Sequence, residues 1–343
     1  MALPGVDLDH ALVIPVDDGA IMRRYQFDPL DFTYPSPALT TSWREILSSA
    51  LRVGRANWLT QVRVAWPARY EAGRRVMHLL SHLEEQQFGH NRGLVRSDIF
   101  EDEDGSEKTF SSYAIGMALC QTFSTNILQL PALAHFDAIH GAGGRRPDLV
   151  HPTASAEVFV EAKGRYQRLR VAAMENAVDQ LFAHDFARTM SFAAATAACF
   201  DNGTSRLSMH CRVWNPTGAP YEWLAAFNDD SPPVEALTVL AAHLLGAART
   251  NPEEPNGLFI GQADKRAVVC AREPRTGLIL GLTEEEAVRG WEFIAAKSDR
   301  QINTDRLLGD ARSGDKETAD KRSSDLKVNE GLVLGWPDSL KNA

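Results

Sequence analysis

Hydrophobic residues recur with two different periods along this chain. In the segments SWREILSSALRV and GRRVMHLLSHLEEQQF they return every three or four positions, which predicts helices between Thr41 and about Gln87. After an acidic, glycine-containing break at Glu101–Phe110, the segment SYAIGMALCQTF predicts a further helix. HALVIPV has a strand-like pattern, but the sequence does not indicate a role for residues 1–40.

The pattern changes to strands beyond residue 130. LAHFDAIHG alternates like a strand, and RRPDLVHP and EVFVEAKG then form a hairpin around the loop TASA. A long amphipathic helix is expected from Leu169 to Met190. Further strands (SFAAATAACF, SMHCRVWN, GLFIG, AVVCARE) and helices (VEALTVLAAHLLGAA, and TEEEAVRGWEFIAAK with Thr283 as its cap) follow. This mixture predicts an α/β (α+β) fold.

These patterns divide the chain into three parts. We expect a mainly helical N-terminal accessory region over residues 1–100 and a mixed α/β domain over 101–297. Residues 298–343 are rich in both acids and bases, which predicts a charged linker or solvated helix. The apolar piece GLVLGW in this tail is expected to dock back onto the body.

The amino-acid composition indicates which classes of protein this chain can belong to. The 343 residues are 44% hydrophobic and 24% charged, as in ordinary globular proteins, and the net charge of −9 opposes indiscriminate nucleic-acid binding without excluding a local basic surface. The four cysteines show no CxxC spacing, which argues against a structural zinc site and a disulfide framework. The first twenty residues do not resemble a signal peptide. We therefore expect a cytoplasmic protein that does not enter the membrane.

The predicted hairpin collects charged residues on one face. Pairing Pro152 with Glu157 places Asp148 opposite Glu161, and the alternation of a strand puts Lys163 on the same face as Glu161. The other face, with Val158, Val160 and Ala162, is apolar.

Two carboxylates that face each other across strands repel. A divalent cation between Asp148 and Glu161 would remove this repulsion, and carboxylate oxygens suit Mg²⁺, with Mn²⁺ as a substitute. The carbonyl oxygen of Ala162 is a candidate for a third metal ligand. Lys163 would then stabilise negative charge that develops on a phosphate. The alternative is a surface salt bridge without catalytic role.

The residues Pro147-Asp148 followed by Glu161-Ala162-Lys163 resemble the PD-(D/E)xK nuclease superfamily. The resemblance covers roughly Glu107 to His184. It implies a restriction-endonuclease-like fold, in which a mixed central sheet is flanked by helices. It also implies that Asp148 and Glu161 bind the catalytic magnesium and that Lys163 assists the attacking water.

Two further site residues follow from this resemblance alone. Some members carry a glutamate on the helix before the sheet, and Glu107 is the nearest candidate, although it would equally serve as a first-turn acid. Others carry a glutamine on the helix after the lysine, a position that Gln180 fits.

Arginines supply the candidate nucleic-acid contacts. Residues 52–75 hold six arginines and one glutamate, with Trp58, Trp66 and Tyr70 among them, so Arg52, Arg55 and Arg63 are candidates for phosphate contacts. The alternative is a solvated helix face with its tryptophans in the core. Arg145 and Arg146 lie beside the acids, where they could contact a phosphate or neutralise the carboxylates.

Together these features predict a magnesium-dependent DNA endonuclease, such as a restriction or phage-defence enzyme. DNA is favoured over RNA as the partner, and a homodimer or partner subunit stays open. The alternatives are an exonuclease or structure-specific nuclease, and a non-catalytic nucleic-acid-binding or assembly module on the same fold.

Overall fold

The computed structural model describes residues 6–16, 38–53, 66–130, 132–140, 146–152, 157–182, 190–201, 204–214, 233–248, 257–273, 277–298, 301–313, 326–329 and 332–335. Helices and strands are mixed along this part of the chain, which confirms a mixed α/β protein. Within it, no helix combines the length and the apolar character needed to cross a membrane.

The helices follow the apolar periodicity of the sequence, and several begin at capping residues. Ser42 and Glu45 form a capping box at the first helix, and Thr283 caps the helix predicted to follow it. The helices are α1 (Trp43–Arg52), α2 (Trp66–His82), α3 (Asp98–Asp102), α4 (Gly105–Asn126), α5 (Phe136–His140), α6 (Val171–Phe182), α7 (Val234–Ala247), α8 (Glu284–Ser298) and α9 (Thr304–Ser313).

Within the described residues, the strands form two five-stranded sheets and two two-stranded antiparallel sheets. They are β1 (Leu12–Pro15), β2 (Ala38–Thr41), β3 (Leu83–Phe88), β4 (Asn91–Arg96), β5 (Ala134–His135), β6 (Leu149–Pro152), β7 (Glu157–Arg165), β8 (Met190–Phe200), β9 (Leu207–Trp214), β10 (Leu258–Ala263), β11 (Arg266–Arg272), β12 (Ile279–Thr283), β13 (Lys327–Asn329) and β14 (Leu332–Gly335).

The chain divides into two compact units. One contains residues 10–53 and 78–233, and the other contains 1–9, 54–77 and 234–343. These bounds differ from the divisions at residues 100 and 297 suggested by the sequence. The reason is that segments distant along the chain join the same sheet or pack on the same helix, which local composition does not reveal.

The first unit is built on the sheet β5-β6-β7-β8-β9. Its neighbours are antiparallel except for β7 and β8, which are parallel and are connected through α6. Phe159 of β7 packs in a core cluster with Met174 and Leu181 of α6, whereas Gly164 of the same strand lies against Ser112 of α4. Because side chains alternate along a strand, α4 and α6 cover opposite faces of the sheet.

The second unit contains the antiparallel sheet β10-β11-β12-β14-β13 and the helices α7, α8 and α9, of which α7 and α8 follow the sequence prediction closely. Helices α7 and α8 pack together, and the indole N–H of Trp291 donates to the carbonyl of Ala241 at 3.1 Å. Strand β14 comes from the apolar piece GLVLGW and lies between β12 and β13, so its predicted docking is confirmed. The charged segment before it contains α9, in agreement with the helix that was predicted as the alternative to a linker.

Three predicted elements differ from the structure. LAHFDAIHG is a strand only at Ala134–His135 and then forms α5, because Phe136 and Ile139, three positions apart, both pack against the core cluster below α6. The helix predicted to about Gln87 ends at His82, since the next residues pair with β4 around the positive-φ turn at Gly89. The helix expected from Leu169 to Met190 is α6, and Met190 instead begins β8.

Candidate active site

The β6–β7 hairpin has the register predicted from its loop. Pro152 pairs with Glu157, Val150 with Phe159 and Leu149 with Val160. Asp148 directly precedes β6, so it lies at the end of the ladder beside Glu161. On the other face of β7, Val158, Val160 and Ala162 are buried, as the alternation predicts.

Two backbone hydrogen bonds connect the segment around Asp148 with the strand that carries Glu161. The backbone N–H of Asp148 donates to Glu161 Oε2 at 3.1 Å, and the backbone N–H of Ala162 donates to Asp148 Oδ2 at 3.1 Å. Each carboxylate therefore accepts from the strand that carries the other. The hairpin holds both groups at the point where β6 begins.

Burial dominates the electrostatics of this acid pair. The Glu161 side chain is 0% exposed. Burial raises the pKa of its carboxyl well above the ordinary value, and the Asp148 carboxylate raises it further, against the lowering effect of the Lys163 ammonium. Burial also raises the pKa of Asp148, again opposed by Lys163. Both carboxylates are thus costly to ionise in this position.

Lys163 joins the hairpin to helix α6. Its Nζ contacts Glu161 Oε1 and donates to Gln180 Oε1 at 2.6 Å. The Gln180 amide in turn donates from Nε2 to the carbonyl of Arg146 at 3.3 Å. The structure therefore brings Gln180 together with Asp148, Glu161 and Lys163, and Gln180 fixes the lysine from the helix side.

Helix α4 approaches the hairpin closely and adds a residue that the sequence did not identify. A Cβ at Gly164 would lie 1.6 Å from the Ser112 carbonyl oxygen, and one at Gly116 would lie 2.7 Å from Gly164 Cα. Helix and strand can touch here only because both positions are glycine. The same approach lets Tyr113 Oη donate to Asp148 Oδ1 at 3.3 Å. No pattern in the sequence indicates this contact.

The donor set fits a hard divalent cation with an incomplete protein shell. Asp148 and Glu161 supply carboxylate oxygens, and the Ala162 carbonyl belongs to the residue whose N–H faces Asp148. Within the described residues, no group of three or more His, Cys, Asp or Glu side chains is arranged to hold a metal. Magnesium commonly keeps several waters and uses one or two carboxylates, so two are sufficient.

Glu107 is not brought to this site. It is exposed in the first turn of α4, where its carboxylate accepts from the N–H of Asp104 at 3.1 Å in a capping box. A helix rises about 1.5 Å per residue, which separates Glu107 from Tyr113 by about 9 Å along α4. The structure thus places Glu107 in its alternative role as a first-turn acid.

The arginines predicted to contact phosphate differ in their burial and in their ion pairs. Arg146 forms an ion pair with Asp137 of α5, so at least part of its charge is neutralised beside the site. Arg52 is 3% exposed near the end of α1, which is incompatible with a surface contact to phosphate. In the same arginine-rich segment, Arg74 and Arg75 both bond to Glu71. Arg55, Arg63 and Arg145 lie outside the described residues.

The chain was compared with models of protein families, with curated proteins and with solved structures, and none of the three comparisons found a match.

Proposed function

We propose that this protein is a magnesium-dependent DNA endonuclease that hydrolyses phosphodiester bonds. The observation that carries the proposal is the fully buried Glu161, held between Asp148 and Lys163 at the end of the β6–β7 ladder. A strand pair with this set of residues, followed by a helix that contributes Gln180, agrees with the resemblance to the PD-(D/E)xK nucleases. A role in restriction or phage defence follows from that resemblance alone.

Asp148, Glu161 and the Ala162 carbonyl would hold the cation, with water completing its shell. When bound, Mg²⁺ would polarise a phosphoryl oxygen and make water a better nucleophile. Burial prepares the two carboxylates for this role, because an anion that is poorly solvated gains most from a cation.

Lys163 and Gln180 would act on the phosphate. The Lys163 side chain is 18% exposed, so its ammonium lies at the boundary between the buried Glu161 and solvent. There it can stabilise negative charge as the phosphate gains its fifth oxygen. Gln180 acts through Lys163, because its Oε1 limits the directions in which Nζ can point.

The proposal is tested by incubating the purified protein with supercoiled plasmid, linear duplex DNA, single-stranded DNA and RNA, each with Mg²⁺ or EDTA. We expect nicking or linearisation of the plasmid in Mg²⁺ and none in EDTA. Cleavage from the ends of linear DNA alone would indicate an exonuclease. Cleavage of RNA alone would identify RNA, and not DNA, as the substrate. Intact substrates in every Mg²⁺ arm would contradict the proposal.

A non-catalytic nucleic-acid-binding or assembly module is the second candidate. The direct contact between Lys163 and Glu161 favours it, since this contact partly neutralises the buried acid without a metal. The two candidates differ in one result. Such a module would bind DNA and leave it intact in both Mg²⁺ and Mn²⁺, whereas the nuclease would cut it.

A further inference from the structure

The sequence is locally basic directly after the candidate active site. Although the chain has a net charge of −9, the segment from Lys163 to Met174 contains four basic residues and no acid. Arg165 is the last residue of β7, Arg168 and Arg170 lie between β7 and α6, and we name residues 165–170 the arginine loop. All three arginines are exposed.

The arginine loop continues the row of side chains that carries the site. Glu161, Lys163 and Arg165 occupy every second position of β7, so their side chains lie on one face at intervals of about 7 Å. Exposure rises along this row from the buried Glu161 through the half-buried Lys163 to the exposed Arg165. The site therefore opens to solvent toward the arginine loop.

Contacts to the protein body fix the backbone of this loop. The guanidinium of Arg96 donates from Nη1 to the carbonyl of Tyr166 at 3.0 Å, and Gly164 is held against Ser112 of α4. At the other end, Leu169 packs against the core cluster below α6, and the N–H of Ala173 donates to the carbonyl of Arg170 at 2.9 Å.

The three guanidinium groups are not neutralised in the described part of the chain, where none has an ion pair with a carboxylate. Arg96 and Arg146, by contrast, each have one, with Glu101 and Asp137 respectively. Three exposed guanidinium groups on a fixed backbone, with no carboxylate partner among the described residues, form a surface suited to a chain of several anionic groups.

We infer that the arginine loop binds the phosphate backbone of duplex DNA on one side of the bond to be cut. The inference rests on the proposed function and adds to it the surface that holds the substrate. Guanidinium groups match phosphate oxygens in geometry and charge. Single-stranded nucleic acids are usually held by exposed aromatic side chains, whereas the exposed residues of this loop are three arginines and Gln167, which favours a duplex.

The test measures DNA binding without cleavage. A short fluorescent duplex is titrated in EDTA over a series of salt concentrations with the wild type and with Arg165→Gln/Arg168→Gln/Arg170→Gln. Each phosphate that the variant no longer neutralises should reduce the log–log salt slope by roughly 0.9, and together the three substitutions should weaken binding by about 10²-fold at moderate salt. The triple lysine variant at the same positions keeps the charge and should keep most of the slope.

A matched control removes the same charge elsewhere. Arg266, Lys297 and Arg306 are exposed in the second unit, and their triple glutamine variant should bind like the wild type. Equal affinity and slope for the arginine-loop variant and the wild type would overturn the inference. So would an equal loss of affinity in the control, stronger binding of single-stranded DNA or RNA than of duplex, or no binding by the wild type.

Failure of the proposed function has a different signature. If the wild type cuts DNA in Mg²⁺ and the arginine-loop variant binds and cuts equally well, only the inference about the loop fails. If the loop variant loses binding in EDTA but the wild type never cuts, the loop is a DNA surface and the nuclease proposal fails.

Discussion

Glu161 is the residue whose position is hardest to explain by stability alone. A carboxylate with no exposure loses its hydration, and here it also faces a second acid. Lys163 offsets part of this cost. The surface salt bridge considered from the sequence does not describe this arrangement, because the acid is buried and a buried ion pair is seldom stabilising overall. A group held at such cost is typical of a functional site.

Replacing Glu161 with glutamine should therefore stabilise the protein in metal-free buffer at neutral pH. The amide keeps the shape and carries no charge, and the Lys163 ammonium that it leaves is partly exposed and still donates to Gln180. The gain should therefore be of the order of 1 kcal/mol, because this is the free energy that a typical pKa shift in a folded protein represents. Because the raised pKa means that the folded state holds this proton more tightly than the unfolded chain, wild-type stability falls as the pH rises through that range. The gain in the variant should accordingly disappear at acidic pH.

Urea unfolding of the two proteins at neutral and acidic pH measures this difference. Glu107→Gln is a suitable control, since that acid is exposed and only caps α4. A Glu161→Gln protein that is less stable than the wild type at neutral pH would show that the ion pair with Lys163 outweighs the cost of burial.

Lys163 should matter for cleavage more than for binding. Lys163→Ala leaves both candidate metal ligands in place and removes a charge that matters most when the phosphate becomes more negative. We expect cleavage to slow by about 10²–10³-fold, the usual cost of removing one such group. Duplex binding should persist, and Asp148→Ala should abolish Mg²⁺-dependent cleavage entirely. Single-turnover cleavage and filter binding, done side by side, check this, and wild-type rates for Lys163→Ala would exclude the assigned role.

At the scale of elements, the site depends on how closely α4 approaches β7. The two glycines Gly116 and Gly164 leave no room for side chains at this contact. The contact sets the distance from Tyr113 to Asp148 and the start of the arginine loop. A small displacement of the helix would thus alter both the acid pair and the surface beside it.

Gly164→Ala should destabilise the protein severely, because its Cβ would lie 1.6 Å from the Ser112 carbonyl oxygen and backbone must move. Overpacking of this kind costs about 1–3 kcal/mol and sometimes more. Gly105→Ala is the matched change, since it lies in the first turn of the same helix with no atom within 4 Å of its Cβ, and it should be neutral or slightly stabilising. Thermal melting of both variants tests this prediction. Equal melting temperatures would contradict the close contact between Gly164 and the Ser112 carbonyl.

The hairpin could be predicted from the sequence because its information is local. The four-residue loop and the alternation of β7 fix the pairing of Pro152 with Glu157, and with it the place of Asp148. LAHFDAIHG shows the limit of this reasoning: its alternation predicts a strand, but Phe136 and Ile139 gain more by packing together on one side of a short helix. The position of Tyr113 depends on packing between distant segments, which no local pattern encodes.

At the scale of the whole molecule, sequence patterns identify most elements but not the sheets that they join. Strand β14 pairs with the distant β12 as well as with its neighbour β13, and Val16 forms a bridge to Met209, which is also distant in the sequence. The arginines also show that a sequence pattern does not reveal which side chains are exposed. Density along the chain pointed to residues 52–75, where Arg52 is buried and Arg55 and Arg63 lie outside the described residues, whereas an exposed group of arginines without ion pairs among the described residues lies at residues 165–170.

Magnesium should stabilise only the part of the molecule that contains the site. A ligand that binds the folded state alone adds about 2.7 kcal/mol when its concentration is one hundred times its dissociation constant. The candidate ligands belong to the unit formed by residues 10–53 and 78–233, so that unit's thermal transition should move upward in Mg²⁺. Where the other unit unfolds separately, its transition should stay in place.

Calorimetry with Mg²⁺, compared with sodium at equal ionic strength, measures this shift. Asp148→Asn should lose it because one of the two carboxylates is gone, whereas Glu107→Gln should keep it, since that acid caps α4 away from the hairpin. A shift that survives in Asp148→Asn, or that disappears in Glu107→Gln, would place the cation elsewhere. No shift in the wild type at millimolar Mg²⁺ would mean that the buried acid pair binds no cation without DNA, and cleavage would then require the phosphate itself as a ligand.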